Sequence, residues 1–447
     1  MLRQTLFLVA LTLALFNVAE CSTEKVLYNF CSLPHCDDGA NPIADLVQDA
    51  GGNLWGTTEN GGTNGMGTIF ELTKRSGYTV LGQVYSFRGG AKDGAHPQAG
   101  LVVNLVTGTL YGTTSSGGPP SFCSNGCGTV FAFHPATRTE VVVHFFLGPH
   151  CGTNCADGAN PTSKLRLDAS GKLYGTTSAG GTFNLGTTFK IDTNNTETVI
   201  HSFAGFPNDG ATPRGGLVFD ANQNLWGTTE TGGSQNLGSI FEITGAMLTS
   251  QTQVYSFRGG FADGAKPVAA LAFDPTTGNL YGTTMSGGST GCPTGCGTVF
   301  FINSLTTFYQ KLYSFVVGRG EAPVARLAIE PSSGNLYGTA SLGGIRSGVC
   351  SPGGCGTAFE ICAPQNTCSW VGPEYTLFYF NDNNIPHTGR NPMSGLLLDV
   401  TIPSLPSDDV DKFPPPSGGR GTCTSNCVAV TTNGGANSAG TVYSLTK

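Results

Sequence analysis

The sequence predicts an all-β chain folded as a seven-bladed β-propeller of four-stranded antiparallel blades. Three observations predict it. A short motif recurs along the chain, each copy lies in a unit with four β-type runs, and no stretch carries a convincing helical pattern. The first copy reads Asn53-Leu54-Trp55-Gly56-Thr57-Thr58. It returns at Thr109-Leu110-Tyr111-Gly112-Thr113-Thr114, then at Leu173-Tyr174-Gly175, Leu225-Trp226-Gly227, Leu280-Tyr281-Gly282 and Leu336-Tyr337-Gly338. A weaker seventh copy is Ala429-Val430-Thr431-Thr432. Each is followed by a Gly-Gly pair and then by a second element, first seen as Gly67-Thr68-Ile69-Phe70. A third element ends in Phe30, Phe87, Phe146, Phe203, Phe257, Phe315 and Phe380. Length alone suggests about three domains, but a period of 52 to 63 residues overrides that prior.

The unit from Asp263 shows the internal order. Residues 263–267 form a loop, 269–274 strand one, and 275–278 a turn in which Gly278 supplies positive φ. Residues 279–284 form strand two, 287–297 a glycine-rich loop, 298–302 strand three and 310–315 strand four. Three successive hairpins make a meander. A β-solenoid is the alternative, but its coils are shorter and it needs distinct caps. The phase of the repeat predicts how the ring closes. Residues 26–30 are a fourth strand with no blade before it, and 440–445 are a third strand with none after it. Residues 26–30 are therefore expected to become the outer strand of the last blade.

Composition narrows the class. Gly contributes 66 of 447 residues, about double the usual share, and charged residues are 11%. A disordered chain has more charge and less apolar content, and collagen needs Gly at every third position. A net charge of −7 with 22 Lys plus Arg offers no basic patch to nucleic acid or an anionic membrane.

Residues 1–21 read as a secretory signal peptide. Arg3 is the positive region, residues 5–16 are apolar but too short to span a membrane, and Ala19-Glu20-Cys21 offers small residues for cleavage. Cys21 also prompts a lipoprotein reading, which Glu20 disfavours. The last residues, 443–447, hold no apolar anchor, so a secreted, extracellular chain is expected, with residues 22–447 one propeller domain. Without Cys21, 14 cysteines remain in seven close pairs: Cys31 with Cys36, Cys123 with Cys127, Cys151 with Cys155, Cys292 with Cys296, Cys350 with Cys355, Cys362 with Cys368 and Cys423 with Cys427. In an exported chain this reads as local disulfides, although spacing does not fix connectivity. Zinc sites favour a two-residue gap and a second pair nearby, so no metal site and no cofactor is expected. Cys355 and Cys362 flank a strand, roughly 20 Å apart at ~3.3 Å per residue, and cannot pair with each other.

Leu-Tyr-Gly-Thr-Thr, the Gly-Gly loop, Gly-Thr-Val-Phe and Asp-Gly-Ala-x-Pro together resemble the GloVer-type tandem repeat, named for Gloeobacter and Verrucomicrobia. The resemblance covers nearly all of residues 26–445. It implies an exported, mostly bacterial kind of protein and supports the fold. It implies no particular reaction.

Several residues stand out as candidates. Asp38, Asp93, Asp157, Asp209 and Asp263 recur in the Asp-Gly-Ala loop, where the last two blades have Arg319 and Thr388. One Asp per loop falls short of a calcium shell, so these are expected to bind backbone N–H groups. Trp55, Trp226, Tyr111, Tyr174, Tyr281 and Tyr337 could stack on sugars, but their strand lies between blades, so blade packing is expected. The glycine after each is expected to let the adjacent sheet approach. Glu59 and Glu230 belong to different blades and do not suggest a catalytic pair. The seven His are read as unrepeated, with His35, His96, His150 and His387 in loops entering the next blade. No nucleophile elbow, phosphate loop or zinc-protease motif is present. Residues 401–422 hold five prolines and read as a loop inserted in the last blade, and Asn194-Asn195-Thr196 is a glycosylation sequon in a turn.

Loops from strand four to strand one, and from strand two to strand three, emerge on one face of a propeller. Five of the seven Cys pairs lie in such loops. A rigid, elaborated face suits a monomeric module binding extracellular carbohydrate or protein, with nucleic acid and membrane spans excluded. A hydrolase or lyase at the channel mouth, and a structural wall component, are the alternatives.

Overall fold

The structure is a computed structural model that describes residues 23–74, 81–120, 123–148, 157–245, 248, 250–364, 374–380, 389–398 and 427–446. The signal segment 1–21, the insertion 401–422, His150, His387 and Thr388 lie outside the described residues. So do Cys151 and Cys155, and the bridge expected between them is therefore not among the disulfides described below. Seven four-stranded antiparallel sheets follow one another. Blade 1 is Val47–Gln48, Leu54–Thr58, Thr68–Leu72 and Leu81–Ser86 in that order, and blades 2 to 6 repeat the meander. Blade 7 closes the ring as expected. Its outer strand is Thr23–Asn29, paired antiparallel to Thr441–Thr446. The innermost strand of blade 7 is reduced to a single bridge, Leu397 to Val428, while Gly389–Pro392 pairs with the upper end of strand two. No α-helix occurs among the described residues, only short 3-10 turns such as Pro34–Cys36.

The loops read as irregular in the sequence contain a further ladder. Gly94–Ala95 pairs with Ser116–Gly117, Gly158–Ala159 with Ala179–Gly180, Gly210–Ala211 with Thr231–Gly232, and Gly264–Ala265 with Ser286–Gly287. The entry loop of each of these blades is thus zipped to its own strand-two exit on the same face. This satisfies loop backbone groups that would otherwise be buried unpaired.

The repeat works because every residue of the motif has one mechanical task. The glycine of strand two faces the phenylalanine of strand three in the same sheet, as in the Gly56–Phe70 register pair. A Cβ at Gly56 would lie 2.5 Å from Phe70 Cζ and 2.8 Å from Leu46 Cδ2. The glycine therefore makes room for a ring of its own blade rather than for the adjacent sheet, which corrects the expectation above. That ring then meets the next contact outward. Phe30, the strand-four aromatic of blade 7, sits edge-to-face on Phe70 of blade 1 at 5.0 Å. The same pair recurs as Phe87–Phe131, Phe146–Phe189, Phe203–Phe241, Phe257–Phe300, Phe315–Phe359 and Phe380–Tyr443, at 4.9 to 5.2 Å. All seven strand-four phenylalanines are fully buried. Edge-to-face geometry places the positive ring edge on the negative face, worth about 0.5–1.5 kcal/mol beyond area burial.

The two threonines divide the polar work. The first donates its hydroxyl to a carbonyl just ahead of strand one of the next blade, as Thr57 does to Ala99 and Thr339 to Ser394, at 3.2 and 2.8 Å. Blade 7 has Val430 at this position. The second threonine bonds the first residue of strand three, as in Thr58–Thr68 at 2.8 Å. Five other blades repeat this at 2.7 to 2.9 Å. Blade 6 has Ala340 there, and the Thr357 hydroxyl opposite is buried without a partner.

Two outcomes follow from this packing. Ala340→Thr supplies the missing acceptor and raises unfolding free energy by about 1 kcal/mol in denaturant titration. Phe30→Ala removes one ring of the closing junction and costs about 3–5 kcal/mol in the same measurement.

Candidate functional site

Four disulfides have both partners described, and all four close loops on one face. Cys31–Cys36 lies in the loop entering blade 1. Cys123–Cys127, Cys292–Cys296 and Cys350–Cys355 lie between strands two and three of blades 2, 5 and 6. Cys362 is disulfide-bonded as well, and its expected partner Cys368 lies outside the described residues. Cys427 is buried at the start of strand two of blade 7, and Cys423 lies outside the described residues. Of the expected pair in the loop entering blade 3, neither Cys151 nor Cys155 is a described residue.

The same face exposes large apolar side chains. Phe183, Phe206 and Phe261, on loops of blades 3 to 5, are 57%, 59% and 64% exposed. Val316, Val317 and Met393 join them. These three rings lie in loops without a disulfide, on the face that carries the stapled loops.

At the axis, the residues preceding the strand-one leucines are Asp45, Gly100, Lys164, Gly216, Ala270, Arg326 and Gly395. Asp45, Lys164, Arg326 and Gly395 line a cavity of about 70 Å³ with Ala272 and Leu397. The Gly395 N–H donates to Asp45 Oδ1 at 2.6 Å, and Arg326 Nε donates to the Leu271 carbonyl at 3.2 Å. This space is far below the few hundred Å³ of a small-molecule pocket.

The repeated aspartates do the backbone work expected of them. Asp93 accepts the Arg88 and Gly94 N–H groups at 2.8 and 2.7 Å, and Asp263 accepts those of Arg258 and Gly264. Asp38 and Asp209 do the same in their loops. Burial alone would raise these carboxyls. Hydrogen bonds from Ser32, Tyr28 and Leu33 outweigh it at Asp38, and bonds from His201, Ala204 and Gly210 outweigh it at Asp209, so both are held below the usual range. The strand-two aromatics pack between blades: Trp55 meets Phe133 of blade 2 at 5.9 Å, and Trp226 is fully buried. Their indole N–H groups donate to turn aspartates, Trp55 to Asp49 and Trp226 to Asp220.

The structure does not bring Glu59 and Glu230 into one site. Glu59 accepts from Gln98 at 2.6 Å, and Glu230 pairs with Arg214 at 2.5 Å, in blades 1 and 4. His35 is exposed and His96 packs on the Glu59 carbonyl. Asn194 is exposed in its turn.

A recurring polar set at the outer junctions escaped the sequence reading. Two residues before each strand-four phenylalanine stands Tyr28, Tyr85, His144, His201, Tyr255, Tyr313 or Phe378. Two of the histidines therefore do share a repeat position, which corrects their reading as unrepeated. Tyr85, Tyr255 and His201 bond the loop aspartate at 2.7 to 2.9 Å. From the next blade comes the residue six before the phenylalanine: Glu140, Glu197, Gln251, Tyr309 or Glu374. Gln251 donates to Asp209, Tyr309 to Asp263, and Glu140 lies 3.2 Å from the Tyr85 oxygen. At the blade 5–6 junction Arg319 replaces the aspartate and lies 3.9 Å from Glu374.

Burial and then the Asp93 charge push Glu140 up to about 7. The Tyr85 hydroxyl lies between the two carboxyls, donating to Asp93 at 2.7 Å and reaching Glu140 Oε2 at 3.2 Å. The folded chain holds the Glu140 proton up to near pH 7, whereas an ordinary Glu loses it near 4.5. Stability from this group is thus fully present below pH 4.5 and falls as pH rises through 7. Glu140→Gln, imitating Gln251, is expected to be about 1–2 kcal/mol more stable than the parent at about pH 8. The gain vanishes in acid, which thermal unfolding across pH checks.

The chain belongs to the Gloeobacter/Verrucomicrobia repeat family, whose model matches residues 14–241 and 160–401. No curated protein matches. Among solved structures, the chain is similar to the extracellular domain of a hybrid two-component system of B. thetaiotaomicron, with 9% identity and a TM-score of 0.55. That match covers 94% of this chain and 39% of the other, so the chain spans about two fifths of that longer protein. It is also similar to an oligogalacturonate lyase in complex with manganese, with 12% identity, a TM-score of 0.50 and 95% and 96% of the two chains covered. At these identities the likeness establishes the fold alone. No helix among the described residues is long and apolar enough to cross a membrane.

Proposed function

We propose that the chain is an exported, extracellular binding propeller that presents its disulfide-stapled face to a carbohydrate or protein ligand. The observation that carries this is the placement of the staples. Cys31–Cys36, Cys123–Cys127, Cys292–Cys296 and Cys350–Cys355 all stiffen loops of one face, the face that exposes Phe183, Phe206 and Phe261. Short disulfide loops add little to a core of this size, but they lower the ordering cost of binding. Exposed aromatic rings supply apolar area with few rotors to freeze. Disulfides and the likeness to an extracellular domain support export.

A second reading, a hydrolase or lyase at the channel mouth, draws on Asp45, Lys164 and Arg326 around the axis. The small volume there supports the binding reading over it.

Screening the oxidised protein against a panel of glycans and insoluble polysaccharides is expected to give saturable binding. Phe206→Ala and Phe261→Ala together are expected to weaken it at least about tenfold, as for interface anchors. Binding unaffected by these changes argues against the stapled face. Turnover of a bound glycan that Lys164→Ala abolishes favours the enzyme, and no saturable ligand favours a structural role.

A further inference from the structure

We propose that the junction between blades 2 and 3 is a binding site for a divalent transition-metal ion of the zinc class, held by His144, Asp157 and Glu197. His144 lies on the outer strand Thr139–Phe145 of blade 2, Asp157 in the loop that follows, and Glu197 opens the outer strand Glu197–Ser202 of blade 3. One ligand atom from each lies within 4.8 Å of the others.

The argument rests on how this junction differs from its siblings. The other junctions place a hydrogen-bond donor between their acceptors: Tyr85 between Asp93 and Glu140, Gln251 beside Asp209, Tyr309 beside Asp263. At blades 2–3 the set is an imidazole and two carboxylates, and it is left open. His144 Nε2 is 3.5 Å from Asp157 Oδ1, an ion-pair contact when the ring is protonated, and has no hydrogen-bond partner. Glu197 Oε1 is likewise buried without a partner, as are Glu140 Oε1 and Gln251 Oε1 at the neighbouring junctions, so the unpaired imidazole nitrogen facing two carboxylates is what sets this junction apart. Buried polar atoms of this kind call for a missing partner, and a cation satisfies both at once.

The chemistry of the donors fits. One imidazole nitrogen with two carboxylate oxygens suits zinc and its neighbours, bound at about 2.0–2.2 Å with a remaining position for water. The surroundings hold the ligands in place. Asp157 accepts the Gly158 N–H on Oδ1 and the Leu147 N–H on Oδ2, at 2.7 and 2.8 Å. The His144 ring stands edge-to-face on Phe146 at 4.8 Å. The cluster Cys292, Cys296 and Glu321 is no rival, because both sulfurs are spent in a disulfide. An ion here would tie two blades together at their outer edge.

The test is calorimetric titration of chelator-treated, oxidised protein with Zn²⁺. The expected result is one equivalent bound, with a rise in unfolding temperature. Glu197→Gln reproduces the His-Asp-Gln set of blades 3–4, which this fold already tolerates, and is expected to weaken binding at least about tenfold. His144→Tyr, the residue at four sibling positions, is a second route to the same loss. Zinc uptake that is absent in the parent, or unchanged in both variants, overturns the proposal. Gln251→Glu installs the third ligand beside His201 and Asp209 and is expected to add a second equivalent. Failure to do so overturns the claim that these three groups suffice.

Discussion

Seven edge-to-face ring pairs, each joining a strand-four phenylalanine to the strand-three ring of the next blade, set the spacing of the whole molecule. In blades 1 to 6 the strand-three phenylalanine has room because the strand-two residue beneath it is glycine, and in blade 7 Ala429 takes that place under Tyr443. Glycine in strand two, phenylalanine in strand three and phenylalanine in strand four are thus one unit stretched over two blades. Leucines of strands one and two, and the strand-two aromatics, fill what remains. The clusters that result each draw on two adjacent blades, as Trp55, Phe87, Leu101 and Phe131 do. The core is therefore a chain of junctions rather than a set of blade interiors.

Outside that apolar layer the junctions are free to differ. In the loops entering blades 1 to 5 the aspartate keeps one task, because the backbone N–H groups of the turn need an acceptor. Its outward neighbours vary among tyrosine, histidine, glutamate and glutamine. Variation is cheap there, since each combination only has to distribute protons among a few partly buried oxygens and nitrogens. That freedom lets chemistry appear at one junction without disturbing the others.

The fold was legible because its repeat spells out the junction in every blade. Gly-Thr-Thr, the terminal phenylalanine and Asp-Gly-Ala each recur with the role that local physics assigns them, and the phase of the strands announced the closing strand. Glu140, Glu197 and Glu374 were not legible. They hold a fixed distance from a phenylalanine, but Leu81, Gln251 and Tyr309 occupy the same register, so residue type hides the position. His144 and His201 were missed for the same reason, because tyrosine fills their place elsewhere. The partner of the strand-two glycine was misassigned because sequence gives the need for space without saying which ring fills it. The loop ladders went unseen because two-residue strands carry no periodicity.

The strand Thr23–Asn29 fills the edge of blade 7 from a position next to blade 1, and the segment that turns it into blade 1 is tightly specified. Cys31–Cys36 closes that segment, and Asp38 gathers the N–H groups of Ser32 and Leu33. A strand of this kind could in principle be donated to a second copy, which is how swapped dimers arise when a hinge is slack. Here the hinge is already wound and stapled, so the strand leaves it aimed at its own ring. Self-closure then has a local concentration that a neighbouring molecule has little means of matching. The first staple in the chain thus fixes the direction in which the closing strand leaves blade 1, at the seam where exchange between copies would begin.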